Sequence, residues 1–279
     1  MISVVIPAHN EESVISRCLS QLTSDEYASQ LQIIVVCNGC SDNTDQVASR
    51  FSGIEVVSIE TASKIAALNA GDQYAKHFPI AYVDADIKVT GKDLILAASE
   101  LSDTVQVVAP RMCIELTGSS WLVRSFYNIW MQLPYFSARH MVGSGVFILS
   151  EKGRSRFGLF PNLISDDGYV RSLFDNTERK TVSKSSFTVY APKDIKSLLK
   201  IKTRVRMGNM QVMQLYPDLR VGGENTSKSF VRLLFRKPWL LPSGVVYVWV
   251  QWLTKRRSAA RLSSQMLGWD RDNSSRMSQ

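Results

Sequence analysis

Ile2-Ser3-Val4-Val5-Ile6-Pro7-Ala8-His9-Asn10-Glu11-Glu12 opens the chain, and its two halves behave differently. Residues 2–6 form an apolar run broken only by Ser3, the mark of a strand buried on both faces of a parallel sheet. After Pro7 the chain turns polar. Asn10 is placed to cap a helix with Glu11 and Glu12 in its first turn, near the positive end of the helix dipole. Ile15, Cys18, Leu19 and Leu22 give that helix one apolar face. The pattern repeats. Ile33–Val36, Ile54–Ile59, Ile80–Val83 and Val105–Ala109 read as buried strands, and Thr44, Val47, Ala48 and Phe51 share the face of a second helix. Strands alternating with helices predict an α/β, mostly parallel sheet with right-handed crossovers. Ligands of such sheets bind beyond the carboxyl ends of the strands. That rule selects three loops: Pro7–Glu12, Cys37–Thr44 and Asp84–Ile87.

The later sequence is less regular. Ser119–Leu133 and Lys193–Gln214 read as helices, and Met141–Leu149 and Phe187–Ala191 as strands. A length of 279 residues leaves room for one large α/β domain and an appendage. The character changes near Val221-Gly222-Gly223. The expected division is a catalytic domain over 1–222, with halves 1–110 and 111–222, and a basic, aromatic tail over 223–279. Apolar content of 45% and charged content of 21% exclude wholesale disorder. Net charge is +8, concentrated from Lys193 to Arg276, while the first hundred residues are acidic. Such a segment expects an anionic partner. Four scattered cysteines make no disulfide framework, and no secretory signal precedes the first strand, so the expected location is cytoplasmic.

Tyr82-Val83-Asp84-Ala85-Asp86 carries the strongest chemistry. Carboxylates at i and i+2 where a buried strand ends can meet one ligand, and their repulsion calls for a cation. Hard oxygens suit Mg²⁺ or Mn²⁺, which can bridge a diphosphate. Asp-x-Asp by itself also occurs at ordinary strand ends. Here it stands in an ordered series: Val5 to Glu12; Ile33 to Thr44 around Cys37-Asn38-Gly39-Cys40-Ser41-Asp42; Lys64 through Leu68-Asn69-Ala70-Gly71; Asp84-Ala85-Asp86; Gly143-Ser144-Gly145; and Ser165-Asp166-Asp167.

That series, over roughly residues 1 to 210, resembles the inverting family-two glycosyltransferases. The resemblance implies a GT-A, Rossmann-like fold and a nucleotide-sugar donor. It implies that Pro7, Ala8, Asn10, Glu11, Asn38 and Lys64 hold the nucleoside and diphosphate, that Asp84 touches the ribose, and that Asp86, with Asp84, ligates the metal. Asp167 would take the proton of the acceptor hydroxyl, with Asp166 beside it raising its pKa by like-charge repulsion. Arg204 and Arg206 would supply fixed charge for phosphates. Two departures stand out. Cys37-Asn38 replaces a usual aspartate pair, so an amide would face the base; it offers a donor and an acceptor, which a uracil edge also presents. Arg204-Val205-Arg206-Met207-Gly208 lacks the Trp of the Gln-x-x-Arg-Trp element, which disfavours processive synthesis.

Duller readings exist for each residue. Asp166 and Asp167 could cap a helix, Lys64 could be solvated, and Arg204 and Arg206 could line an exposed face. Cys37 and Cys40 could be a redox or zinc pair, but His9, His77 and His140 offer no paired ligands, and His9 reads as a packing residue. A sugar-phosphate nucleotidyltransferase would carry a glycine-rich loop where Pro7-Ala8-His9-Asn10 stands. A dinucleotide module lacks its Gly-x-Gly-x-x-Gly. A catalytically inactive, membrane-associated interaction protein would not need the acidic residues.

In the tail, Lys228, Arg232 and Arg236 recur on one helix face, with Phe230, Val231, Leu234 and Phe235 away from it. Trp239–Leu253 would span only about 22 Å as a helix, short of the roughly 30 Å hydrocarbon core. A basic, Trp-bearing amphipathic segment suits an anionic membrane surface, here the inner face of the cell membrane, rather than nucleic acid. A saccharide or lipid-linked acceptor fits that place. Packing on the enzyme's own core is the alternative.

Overall fold

The computed structural model describes residues 1–137, 145–219 and 225–263. In chain order its strands and helices are β1 (Ile2–Ala8), α1 (Glu12–Leu22), β2 (Leu31–Asn38), α2 (Thr44–Ala48), β3 (Ile54–Ile59), α3 (Lys64–Tyr74), β4 (Ile80–Val83), α4 (Gly91–Ala98), β5 (Val107–Glu115), α5 (Trp121–Trp130), α6 (Pro134–Ser137), β6 (Val146–Leu149), α7 (Glu151–Arg154), α8 (Asp166–Ser172), β7 (Arg179–Tyr190), α9 (Ile195–Leu215), α10 (Ser227–Arg236) and α11 (Leu241–Ser263).

The strands form one sheet in the order β3-β2-β1-β4-β6-β5-β7. β1 to β4 pair in parallel, β6 runs antiparallel to both β4 and β5, and β7 returns parallel to β5. All seven residues of β1 are buried, as expected of a run that packs helices on both faces. One face, through Val4, Ile6 and Ile33, packs on Ile15, Cys18 and Leu19 of α1 and Leu94 of α4. The other, through Val5, Ile34 and Tyr82, packs on Ile65 and Leu68 of α3 and on Tyr169 and Val170 of α8. α3 lies close: a Cβ on Gly71 would sit 2.3 Å from Val5 Cγ1. This contact brings the start of α3, and so Lys64, to the carboxyl end of the sheet.

Several expectations shift. Asn10 does not cap α1; it has φ 51° and its Oδ1 accepts from Ser41 N–H at 2.7 Å, while Glu11 precedes the helix. β5 extends to Glu115 and β7 begins at Arg179, because the two pair along nine registered positions across a bulge. The Met141–Leu149 strand is observed as Val146–Leu149, and residues 141–144 lie outside the described residues, as do Gly143, Ser144, the 222/223 boundary and residues 264–279.

The segment after residue 224 shares a core with the domain. Leu240, Val246, Tyr247 and Val250 are buried against Val123, Phe126 and Ile129 of α5 and Leu198 and Leu199 of α9. The two faces expected for α10 are also redrawn. Phe230 and Leu234 turn inward to this cluster, whereas Val231 and Phe235 are exposed beside the cations.

Candidate active site

Lys64 is the first residue of α3, whose cap Ser63 accepts at Oγ from Ala66 N–H. Its ammonium lies 2.7 Å from Asp84 Oδ1, at the end of β4, and 3.0 Å from Asp166 Oδ2, at the start of α8. Asp166 is only 5% exposed and Lys64 21%, so neither ion is well solvated and each depends on the other. Burial pushes the Asp166 carboxyl up to about 6; Lys64 opposes the rise, and Asp167 and Asp84 add to it. Burial also works against the Lys64 ammonium, but Asp166 and Asp84 hold its pKa above the ordinary lysine value. Asp166 therefore does not cap a helix. It is the buried counter-ion of Lys64.

Asp167 is half-buried, and its Oδ1 accepts from Gly168 N–H at 2.7 Å and Ser165 Oγ–H at 3.1 Å. It lines a small cleft together with Pro7, Lys64, Asp84 and Asp166. The rest of the wall is Leu68, Tyr82, Val83 and Gly145, which stand in the quoted motifs without a binding role assigned to them, and Phe147, which the motifs do not contain. Tyr82 stacks on Phe147 at 4.8 Å and donates to Asp72 Oδ1 at 2.6 Å, and Arg154 holds Asp72 at 2.6 Å. The cleft thus has a rigid floor. Gly145 O accepts from Asp84 N–H at 2.8 Å. Its φ of +106° and the 2.2 Å that would separate a Cβ from Ile87 Cδ1 demand glycine there. Loop residues of this kind leave a sequence signal only in the glycine.

The other expected residues lie on strand ends, loops and a helix and do not line the cleft. Ala8 and Asn38 end the adjacent strands β1 and β2, and Asn38 Nδ2 donates to Ala8 O at 2.9 Å. That bond, with a longer one to Val36 O at 3.5 Å, orients the amide and engages its NH₂ group, so Oδ1 is its acceptor atom. Asn10 and Glu11 tie the first loop to the second: Glu11 N–H donates to Thr44 Oγ1 at 2.8 Å. Asp86 sits two residues beyond Asp84, its carbonyl accepting from Arg17 at 3.4 Å; the Arg17 guanidinium lies 4.1 Å from the Tyr190 ring centre. Arg204 and Arg206 are on α9 and do not line the cleft. α9 reaches the site elsewhere, where Gln211 Oε1 accepts from Ile164 N–H at 2.9 Å, just before Asp166. His9 packs in its loop, with Nδ1 at the Asn38 carbonyl. Cys37 and Cys40 are free thiols, and burial pushes Cys37 up to about 12, which makes it a poor nucleophile or metal ligand.

Among the described residues no three His, Cys, Asp or Glu side chains are grouped to hold an ion alone. Asp84 and Asp86 still offer the hard oxygens that Mg²⁺ uses when one or two carboxylates share it with substrate phosphates. The donor set fits an ion that arrives with a diphosphate.

Comparison with known proteins agrees with this architecture. The glycosyltransferase AglE of Haloferax volcanii is 29% identical over 233 residues, covering 77% of this chain and 74% of AglE. The mannosyltransferase PcManGT of Pyrobaculum calidifontis, solved with GDP-Man and Mn²⁺, superposes with a TM-score of 0.61 at 19% identity, covering 96% of this chain and 75% of that one. TarS 1–349 of S. aureus, solved with UDP-GlcNAc, gives 0.54 at 16% identity over 76% and 66%. These likenesses show the GT-A fold. The model of the family described as Glycosyl transferase family 2 matches residues 3–160, more than half of the chain, a span that holds Pro7, Asn38, Lys64, Asp84 and Asp86. On that match the chain belongs to glycosyl transferase family 2.

Proposed function

We propose that this glycosyltransferase moves a hexosyl group from a nucleotide-diphosphate sugar, a UDP-sugar, to a saccharide or lipid-linked acceptor by a single inverting displacement. The observation that carries the reading is the cleft in which one carboxylate, Asp166, is buried against Lys64 while its neighbour Asp167, half-buried, lines the same cleft. The acceptor oxygen attacks the anomeric carbon as the bond to the diphosphate oxygen breaks. The diphosphate leaves with the electron pair, and Asp167 takes the acceptor proton. Asp166 stays with Lys64 and holds α8 against α3.

On the donor side, Pro7, Ala8, Asn10 and Glu11 shape the nucleoside loop, and Lys64 with Asp84 lies beside the diphosphate and ribose. Asn38 Oδ1, its amide nitrogen already engaged, accepts from an imide N–H such as that of uracil. Asp86, with Asp84, would hold Mg²⁺ or Mn²⁺; a bound ion supplies positive charge opposite the departing diphosphate. PcManGT and a glucosyl-3-phosphoglycerate synthase were solved with Mn²⁺, which supports this part of the reading. Arg204 and Arg206 act on phosphates only if ligand binding brings α9 closer.

Acceptor and enzyme meet at an anionic membrane surface, the inner face of the cell membrane. The acid-free sequence from 225 to 263 and its exposed tryptophans support this. Thermal shift with a panel of nucleotide sugars, with and without Mn²⁺, tests the donor. A ligand at a hundred times its dissociation constant stabilises by about 2.7 kcal/mol. A UDP-sugar should stabilise most, and more with the ion than without it. No stabilisation by any nucleotide sugar would sink the proposal.

A further inference from the structure

Of the sixteen large apolar side chains exposed among the described residues, eight lie between Val231 and Trp252. They do not scatter. On α11, Leu241, Val245, Val248, Trp249 and Trp252 recur at three- and four-residue spacing along one stripe. The opposite stripe, Val246, Tyr247 and Val250, continued by Thr254 and Ser258, is buried. A helix apolar on both sides is normally covered on both. Here α5 and α9 cover one side only. Val231, Phe235 and Trp239 extend the open side onto α10 and the turn after it, where Phe235 is 84% exposed and Trp239 70%.

The charge carried by this segment has one sign. Lys228, Arg232, Arg236, Lys237, Lys255, Arg256, Arg257 and Arg261 lie between residues 225 and 263, and no Asp or Glu does. A second protein copy bearing the same cations would repel this surface, whereas tryptophan with lysine and arginine is the composition of a bilayer interface. Among the described residues no helix is long and apolar enough to cross a membrane. The apolar part of α11, 13 residues from Leu241 to Leu253, measures about 20 Å.

We infer that α10 and α11 form a rigid platform that lies in the plane of an anionic phospholipid bilayer, with the Val245–Trp249–Trp252 stripe in the headgroup boundary. The platform deepens the reading that the acceptor is membrane-bound, and rests on it only for its purpose. It is not a tether. The Tyr247 ring stacks on Phe126 of α5 at 5.3 Å and on Phe230 of α10 at 5.5 Å, so the surface that meets lipid is keyed into the surface that carries α9. α9 in turn holds Ile164 through Gln211, two residues before Asp166. Docking therefore sets the height and tilt of the acceptor side of the cleft above the bilayer.

The full chain is tested by sedimentation with vesicles of phosphatidylcholine alone or mixed with phosphatidylglycerol, and by quenching with brominated lipids. The mixed vesicles should bind the protein, and lipid bromines should quench the fluorescence lost in Trp249→Phe and Trp252→Phe. Lys228→Gln, Arg232→Gln and Arg236→Gln together should weaken binding roughly a hundredfold at low salt, from about 1 kcal/mol for each cation near the surface, and little at high salt. Trp249→Ser with Trp252→Ser should weaken it at least about tenfold at either salt. UDP binding by calorimetry should be unchanged in both sets, which separates this test from that of the transfer reaction. Failure of the wild type to bind mixed vesicles, binding indifferent to the two tryptophans, or a dimer that shields Trp249 and Trp252 from a soluble quencher would each overturn the platform.

Discussion

Lys64 and the cations of α10 carry the same charge in opposite surroundings. Lys64 is largely buried, touches two carboxylates, and joins β4, α3 and α8, elements far apart in sequence. Lys228, Arg232 and Arg236 are exposed on one short helix that itself carries no acid. A desolvated pair is short-ranged and little affected by salt, and removing one member strands the other. Exposed cations act over a Debye length of about 10 Å at 0.1 M salt and can be lost one at a time. Chemistry that needs a fixed geometry is placed in the first environment, and attachment to a fluid surface in the second.

The comparison breaks most visibly at Asp167. Asp167→Asn should lower the transfer rate by about 10²–10⁴-fold, the typical contribution of a general base, with donor affinity by calorimetry near wild type. If Asp166→Asn abolishes transfer while folded and Asp167→Asn does not, the base has been placed on the wrong residue.

Lys64→Met tests the buried pair itself. Breaking such a pair costs about 3–5 kcal/mol, to be read as a shift in the urea midpoint, and adding Asp166→Asn should recover most of it. The pH dependence has a definite sign. Asp166 has a folded value near 6, above the ordinary 3.8. The folded state therefore binds the proton more tightly, and this group's contribution to stability falls as pH rises from 3.8 to about 6. Because Lys64 holds that value down, in Lys64→Met the fall should continue beyond pH 6. Denaturation in metal-free buffer across pH 4–8 would reveal it; coincident profiles would mean that the two residues do not interact.

Asp86→Ala should remove the part of UDP affinity that depends on Mn²⁺, with Mn²⁺-free affinity retained. Unchanged ion dependence in calorimetry would move the metal away from the strand end.

How much of this was legible follows from where the information sits. Ile80–Val83 coincides with β4, because a strand buried between two helical layers must be a continuous apolar run. Ile54–Ile59 coincides with β3, which is a half-buried edge strand rather than a buried one and was marked by its β-branched residues around Glu55 and Ser58. β7 is the other edge strand, and Arg179-Lys180-Thr181-Val182-Ser183-Lys184 carries no apolar run; its pairing is dictated by β5, so only Phe187 onward stood out. Asp84 was visible as a motif, but its contact with Lys64 and theirs with Asp166 is made by the close packing of α3 on β1. The Asp72–Tyr82–Arg154 support has no local pattern at all. In α11 both faces are apolar, so the sequence could not say which α5 and α9 would cover.

The smallest effect belongs to Asn38, which lies between the two environments: buried at the end of β2, yet neutral. Its Nδ2 is committed to Ala8 O, and Oδ1 is the atom assigned to the base. Asn38→Ala removes both contacts and should weaken UDP by about tenfold, the worth of one hydrogen bond of ordinary strength, and cost stability as well. Asn38→Asp keeps an oxygen for the base but sets a carboxylate against the Ala8 carbonyl. It should hold UDP better than Asn38→Ala while losing about 1–3 kcal/mol of stability, the range for a buried polar group left without its partner. Calorimetry and urea denaturation on the same two proteins separate the contacts. If both variants lose UDP equally, the base is not held by Oδ1, and the amide serves only to join β1 to β2.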